Sequence, residues 1–154
     1  MTRLNSGDTA PPFTLESTHG TQALSDYEGE WVVLYFYPKD DTPGCTTEAC
    51  DFRDALPGLG AHIIGVSADD LASHEEFKEK YSLPFPLAVD EGAAVAKAYG
   101  AYGEKSSGGG TYKGILRSTF IINPEGKIAD AMYEVKADGH ADAVRQKLTD
   151  LKSE

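Results

Sequence analysis

The sequence predicts an α/β fold on a mixed β-sheet, and three observations carry that expectation. The stretch "WVVLYFYP" from Trp31 is β-branched and aromatic without polar alternation, the pattern of a strand buried on both faces. Strand-like and helix-like segments then alternate, β-α-β-α-β, as a sheet covered by helices requires. The chain finishes with two strand patterns around a tight turn and a last helix, so the sheet is not purely parallel.

Taken in order, "FTLES" and "TQALS" bracket "THG" and predict an N-terminal hairpin. After the Trp31 strand, "TTEACDFRDALPGL" predicts a helix ending near Pro57 and Gly58. "AHIIGVSA" reads as a second buried strand, and "DDLASHEEFKEKYS" as a polar-faced helix capped by Asp70 or Asp69. "LPFPLAVD" suits a strand entered through two prolines, and "EGAAVAKAYG" a helix closed by Gly100. "SSGGG", residues 106–110, reads as a flexible loop. "LRSTFIIN" and "KIADAMYEV" are strands joined by "NPEGK", and a helix runs from about Asp138 to Leu151. This order suits a thioredoxin-like fold with a hairpin added at the front, in one domain over residues 1–154.

Fourteen basic residues against 25 acidic give a formal charge of -11, which argues against a nucleic-acid partner or an anionic membrane surface. The N-terminus lacks the apolar stretch of a secretory signal, and the run Trp31 to Tyr37 falls far short of the roughly 20 residues that span a bilayer. A cytoplasmic protein is the expectation. Thiols are normally reduced there, so the two cysteines point to catalysis or metal binding rather than a permanent staple.

Both cysteines lie in "KDDTPGCTTEAC". A strand that turns straight into a helix aims the helix N-terminus at the end of the sheet, and Cys45 sits there. Orphan N–H groups and the helix dipole favour a thiolate at such a position. Thr42 brings a hydroxyl able to donate to the sulfur, while Pro43 and Gly44 permit the tight entry. Cys50, five residues on, is the obvious partner. In an ideal helix those Cα atoms stand roughly 8 to 9 Å apart. A disulfide needs them within about 7 Å. Oxidation therefore requires the first turns of the helix to unwind. A metal site is the weaker reading, because His19, His62, His74 and His140 are scattered without ligand spacing.

"YPKDDTPGCTTEAC" resembles the active-site segment of the peroxiredoxins, in particular the bacterioferritin comigratory protein or peroxiredoxin Q type. That family's P-x-x-x-T-x-x-C pattern falls on Pro38, Thr42 and Cys45, with the second cysteine on Cys50. "SLPFPLAVDE" and "GILRSTFIINPEGKI" resemble it too, while "SSGGGTYKG" is more glycine-rich than the family's approach to its arginine strand. The resemblance implies a thiol-dependent peroxidase that acts on hydrogen peroxide and organic hydroperoxides without metal, haem or flavin. It implies that Cys45 attacks, that Arg117 and Thr42 activate, and that Cys50 resolves the sulfenic acid into a disulfide. Thioredoxin or a similar dithiol would reduce that disulfide, and the protein would be a monomer. Glu48, three residues after Cys45, shares its helical face and is placed to orient Arg117; Arg53 is a second, weaker cation. Two rival readings stand beside this one: a thiol-disulfide oxidoreductase on the same fold, and a non-enzymatic redox sensor.

Overall fold

A computed structural model describes residues 3–107 and 110–153. Its centre is β3 (Val32–Phe36), five residues with no exposed side chain. β3 pairs parallel with β4 (His62–Ser67) and antiparallel with β8 (Ser118–Ile122), which makes the sheet mixed. β1 (Thr14–Ser17), β2 (Gly20–Ala23), β5 (Leu87–Val89) and β9 (Ile128–Met132) complete a seven-stranded sheet in the order β2-β1-β5-β4-β3-β8-β9. The N-terminal hairpin is thus an edge of the main sheet, joined to it where Ser17 pairs with Ala88.

The period of two along β3 divides the core. Val32, Leu34 and Phe36 face one layer with Phe120, Ala96 and Tyr99. Val33, Tyr35 and the following Tyr37 face the other, where α1 (Pro43–Ala55) brings Ala49 and Phe52, α2 (Leu71–Tyr81) brings Phe77, and α4 (His140–Lys152) brings Val144 and Leu148. Burying a side chain of this size stabilises by about 1.5–3 kcal/mol. Gly65 of β4 is required by this packing, since a Cβ there would stand 2.9 Å from the Tyr35 ring carbon Cζ.

Asp70 is the cap of α2, its carboxylate accepting from the Ser73 N–H at 2.9 Å, whereas Asp69 turns away to accept from the Asp40 N–H. The helix expected over 91–100 is broken. A 3₁₀ turn spans Glu91–Ala93, Gly92 and Ala93 are left-handed, and α3 is only Ala94–Ala98. Asp90 is the cause: its carboxylate takes the N–H groups of Val95 and Ala96 and so restarts the helix there. The expected loop 106–110 is also corrected. β6 (Tyr102–Ser107) and β7 (Gly110–Ile115) form a separate two-stranded ribbon, paired from Tyr102↔Ile115 to Ser107↔Gly110. Alternation of small and polar residues hid it, because this ribbon has little core to face. Its tip, residues 108–109, lies outside the described residues. No helix among the described residues is long and apolar enough to cross a membrane.

Candidate active site

Three local choices bring the chain from β3 into α1. Asp41 takes a left-handed conformation and is held by Lys80 Nζ at 2.8 Å and Tyr81 Oη at 2.9 Å, which ties the turn to α2. Those two hydrogen bonds hold the Asp41 carboxyl below the usual carboxylate range. Thr42 is extended, and Pro43 opens the helix at a position that has no hydrogen-bonding duty for its missing N–H. The helix begins three residues before the expected Thr46, so Cys45 lies inside its first turn, at the positive end of the dipole. Cys45 is a buried free thiol, and Cys50 a half-buried one.

Arg117 stands one residue before β8 and bridges the two chemical groups of the site. Its Nη2 donates to Cys45 Sγ at 3.3 Å, and its Nη1 donates to Glu48 Oε1 at 2.7 Å. The guanidinium lies over the first turn of α1: a Cβ on Gly44 would be 3.1 Å from Nη2. Glu48 is fully buried. Burial pushes its pKa up to about 7, against the pull of Arg117. Burial opposes the Arg117 charge, but Glu48 and Cys45 outweigh it and raise that pKa. Among the described residues, Glu48 Oε2 and the Tyr35 hydroxyl are buried without a hydrogen-bond partner. His140, at the start of α4, is kept neutral: burial and then Arg117 lower its pKa to about 4, while Nε2 meets Thr119 Oγ1 at 2.7 Å.

Of the residues singled out by sequence, Cys45, Glu48 and Arg117 converge. Pro38 lines, with Arg117, Leu116, Glu104 and Lys105, a cleft of about 420 Å³ open to solvent. Two expectations are corrected. The Thr42 hydroxyl donates to the Lys39 carbonyl at 3.0 Å and not to the sulfur, because the extended Thr42 backbone turns the side chain toward the preceding loop. Arg53 does not face Cys45; it donates to the Tyr81 carbonyl at 2.7 Å and to Asp54 at 3.0 Å, joining α1 to α2 on the side of Cys50. Cys50 lies within the intact helix, without a bond to Cys45.

Sequence reasoning missed Tyr35 and His140. Tyr35 was within reach of it, since the strand period puts that residue on the same face as Tyr37. A second polar group beside the site was also missed. Asp40 Oδ1 accepts from Tyr37 Oη at 2.6 Å, and Oδ2 accepts from Ser73 Oγ at 2.8 Å and meets His74 Nδ1 at 2.6 Å. His74 Nε2 lies 2.9 Å from the Ala88 carbonyl, which can only accept, so Nε2 carries a hydrogen. Asp40, Asp69 and His74 bring their donor atoms within 4.8 Å of one another, but both Asp40 oxygens and both ring nitrogens are already engaged within the protein.

Comparison with known proteins adds to this geometry. The AhpC/TSA family pattern matches residues 6–131. The chain is 48% identical over 149 residues to peroxiredoxin Bcp of Bacillus subtilis, covering 94% of this chain and 95% of the relative. It is 42% identical over 148 residues to peroxiredoxin Bcp of Escherichia coli, covering 94% and 95%. A PrxQ mutant of Xylella fastidiosa superposes with a TM-score of 0.91 at 39% identity over 100% of both chains. The bacterioferritin comigratory protein of Xanthomonas campestris, studied for alkyl peroxide reduction, superposes with a TM-score of 0.83 at 43% identity over 92% of this chain and 90% of that one.

Proposed function

The chain belongs to the AhpC/TSA family and is a thiol-dependent peroxidase, and we propose that Cys45 is its peroxidatic residue and Cys50 its resolving one. The observation that carries this is the Arg117 fork, one arm on Cys45 Sγ and the other on buried Glu48. A fixed, always-charged donor beside the sulfur stabilises a thiolate and the negative charge that develops on the departing peroxide oxygen. The thiolate sulfur attacks one peroxide oxygen, the O–O bond breaks, and the other oxygen leaves as an alkoxide or hydroxide that takes a proton. Cys45 becomes a sulfenic acid. The Cys50 thiol then condenses with it, releasing water and forming a disulfide. Each cycle thus consumes one hydroperoxide and two thiols, and yields an alcohol or water, a second water and one disulfide.

Hydrogen peroxide and small organic hydroperoxides are the proposed substrates, the latter supported by the alkyl peroxide activity of the Xanthomonas relative. An external dithiol of the thioredoxin kind, acting by thiol exchange, is the proposed reductant. A monomer in the cytoplasm is the proposed setting. Condensation requires α1 to open, since intact helical geometry keeps residues five apart roughly 8 to 9 Å from one another.

The test is stopped-flow oxidation of reduced protein by substoichiometric hydrogen peroxide, followed by a thiol count. Wild type is expected to lose two thiols per peroxide. Cys50→Ser is expected to stop at a sulfenic acid that a dimedone reagent traps, and Cys45→Ser to be inert. Oxidation of wild type no faster than that of a free thiol refutes the assignment.

A further inference from the structure

Arg117 divides its guanidinium between Glu48 and Cys45. A second cation lines the cleft that Arg117 lines. Lys105, on β6, donates from Nζ to the Ile115 carbonyl at 2.9 Å, two residues before Arg117. Its stem runs over Gly114, where a Cβ would meet Lys105 Cδ at 3.6 Å, and its ammonium lies 5.9 Å from the centre of the Tyr112 ring. Lys105 and Arg117 line one cleft, and among the described residues no carboxylate lies within ion-pairing distance of Lys105.

We propose that Lys105 is a positioning residue for the peroxidase reaction: anchored on the Ile115 carbonyl beside the cleft that Arg117 lines, its ammonium adds a second positive charge that favours the Cys45 thiolate. This rests on Cys45 being the attacking residue. The ribbon contributes little to the core, yet it fixes a lysine beside the arginine that follows it in the chain, and so acts on the chemistry of the site. Burial lowers the Lys105 pKa, Arg117 lowers it further and Cys45 opposes them. Cys45 is faced by Glu48 from its own helix, by Arg117 from the approach to β8 and by Tyr35 from β3. Lys105 shares its cleft with Glu104 and Glu134, the latter paired with Arg3.

Single-turnover oxidation by hydrogen peroxide is to be followed from pH 4.5 to 9 in wild type, Lys105→Gln and Lys105→Arg, with circular dichroism to confirm folding. Removal of the charge is expected to move the alkaline-activated limb of the pH–rate profile up by about one pH unit and to slow the reaction severalfold at neutral pH. Lys105→Arg keeps a cation and is expected to stay within about twofold of wild type. A Lys105→Gln profile that superposes on wild type overturns this inference alone, as does an arginine variant that behaves like the glutamine one. A wild type inert to peroxide overturns the peroxidase assignment itself, and this inference with it.

Discussion

Two buried polar groups flank the turn between β3 and α1, and they are built on opposite principles. In the group around Asp40, both carboxylate oxygens and both nitrogens of His74 have partners within the protein. In the group around Cys45, Glu48 Oε2 and the Tyr35 hydroxyl have none among the described residues, and Glu48 titrates near 7. A satisfied network is rigid and chemically silent; an under-satisfied one keeps groups ready to change charge or accept a new contact. The first holds the entry loop against α2, and the second holds the Cys45 sulfur against Arg117.

The sharpest break is Asp40→Ala. It leaves Tyr37, Ser73 and His74 facing a position without an acceptor, and removal of one partner of a buried pair costs about 3–5 kcal/mol. Urea unfolding is expected to report a loss of that order. The peroxide rate of the fraction that remains folded is expected to fall much less. If stability is unchanged, the network is not the rigid element described above.

Arg117→Gln should behave in the reverse way. It deletes the cation that reaches Sγ, and loss of one preorganised charged donor costs about 10²–10³ in rate. The single-turnover rate with hydrogen peroxide is expected to fall by that factor. Glu48, left without its cation, holds its proton at neutral pH, so the urea midpoint is expected to fall less than in Asp40→Ala. A rate within threefold of wild type contradicts the role given to the Arg117 fork.

How much of this was legible in the sequence differs between the two groups. The β3 strand, α1, the C-terminal hairpin and α4 follow from patterns that a buried strand or an amphipathic helix imposes on neighbouring residues. Cys45, Glu48 and Thr42 lie within seven residues, so helical spacing related the first two before any fold was known. The Thr42 hydroxyl went elsewhere because a side chain at an extended cap obeys its own backbone and not the residue three positions later. The Asp40 network joins the β3 turn, β4, α2 and β5, from Tyr37 to Ala88, and no local period encodes that meeting. The β6–β7 ribbon was missed for a related reason: a strand pair that covers little core carries no hydrophobic alternation.

The finest test of the contrast is pH, because the two buried titrating groups near Cys45 pull in opposite directions. Glu48 has its folded pKa raised to about 7 from an ordinary 4.5, so the folded form holds the proton more tightly. Its contribution to stability is fully present below 4.5 and is lost as pH rises toward 7. His140 has its folded pKa lowered to about 4 from 6.5. Its contribution is present above 6.5 and is lost as pH falls toward 4. Between about 4.5 and 6.5 the two slopes nearly cancel, each being on the order of 1 kcal/mol per pH unit. Glu48→Gln is expected to leave the histidine slope alone, so that stability climbs with pH through this window more steeply than in wild type. His140→Gln keeps a polar group near Thr119 and is expected to give the reverse, a stability that climbs less or falls. Urea midpoints at half-unit pH steps measure both, and two variants whose slopes shift in the same sense would show that the pair does not offset. Because Glu48, and not His140, is bonded to Arg117, Glu48→Gln and not His140→Gln should also erase an inflection near pH 7 in the peroxide rate.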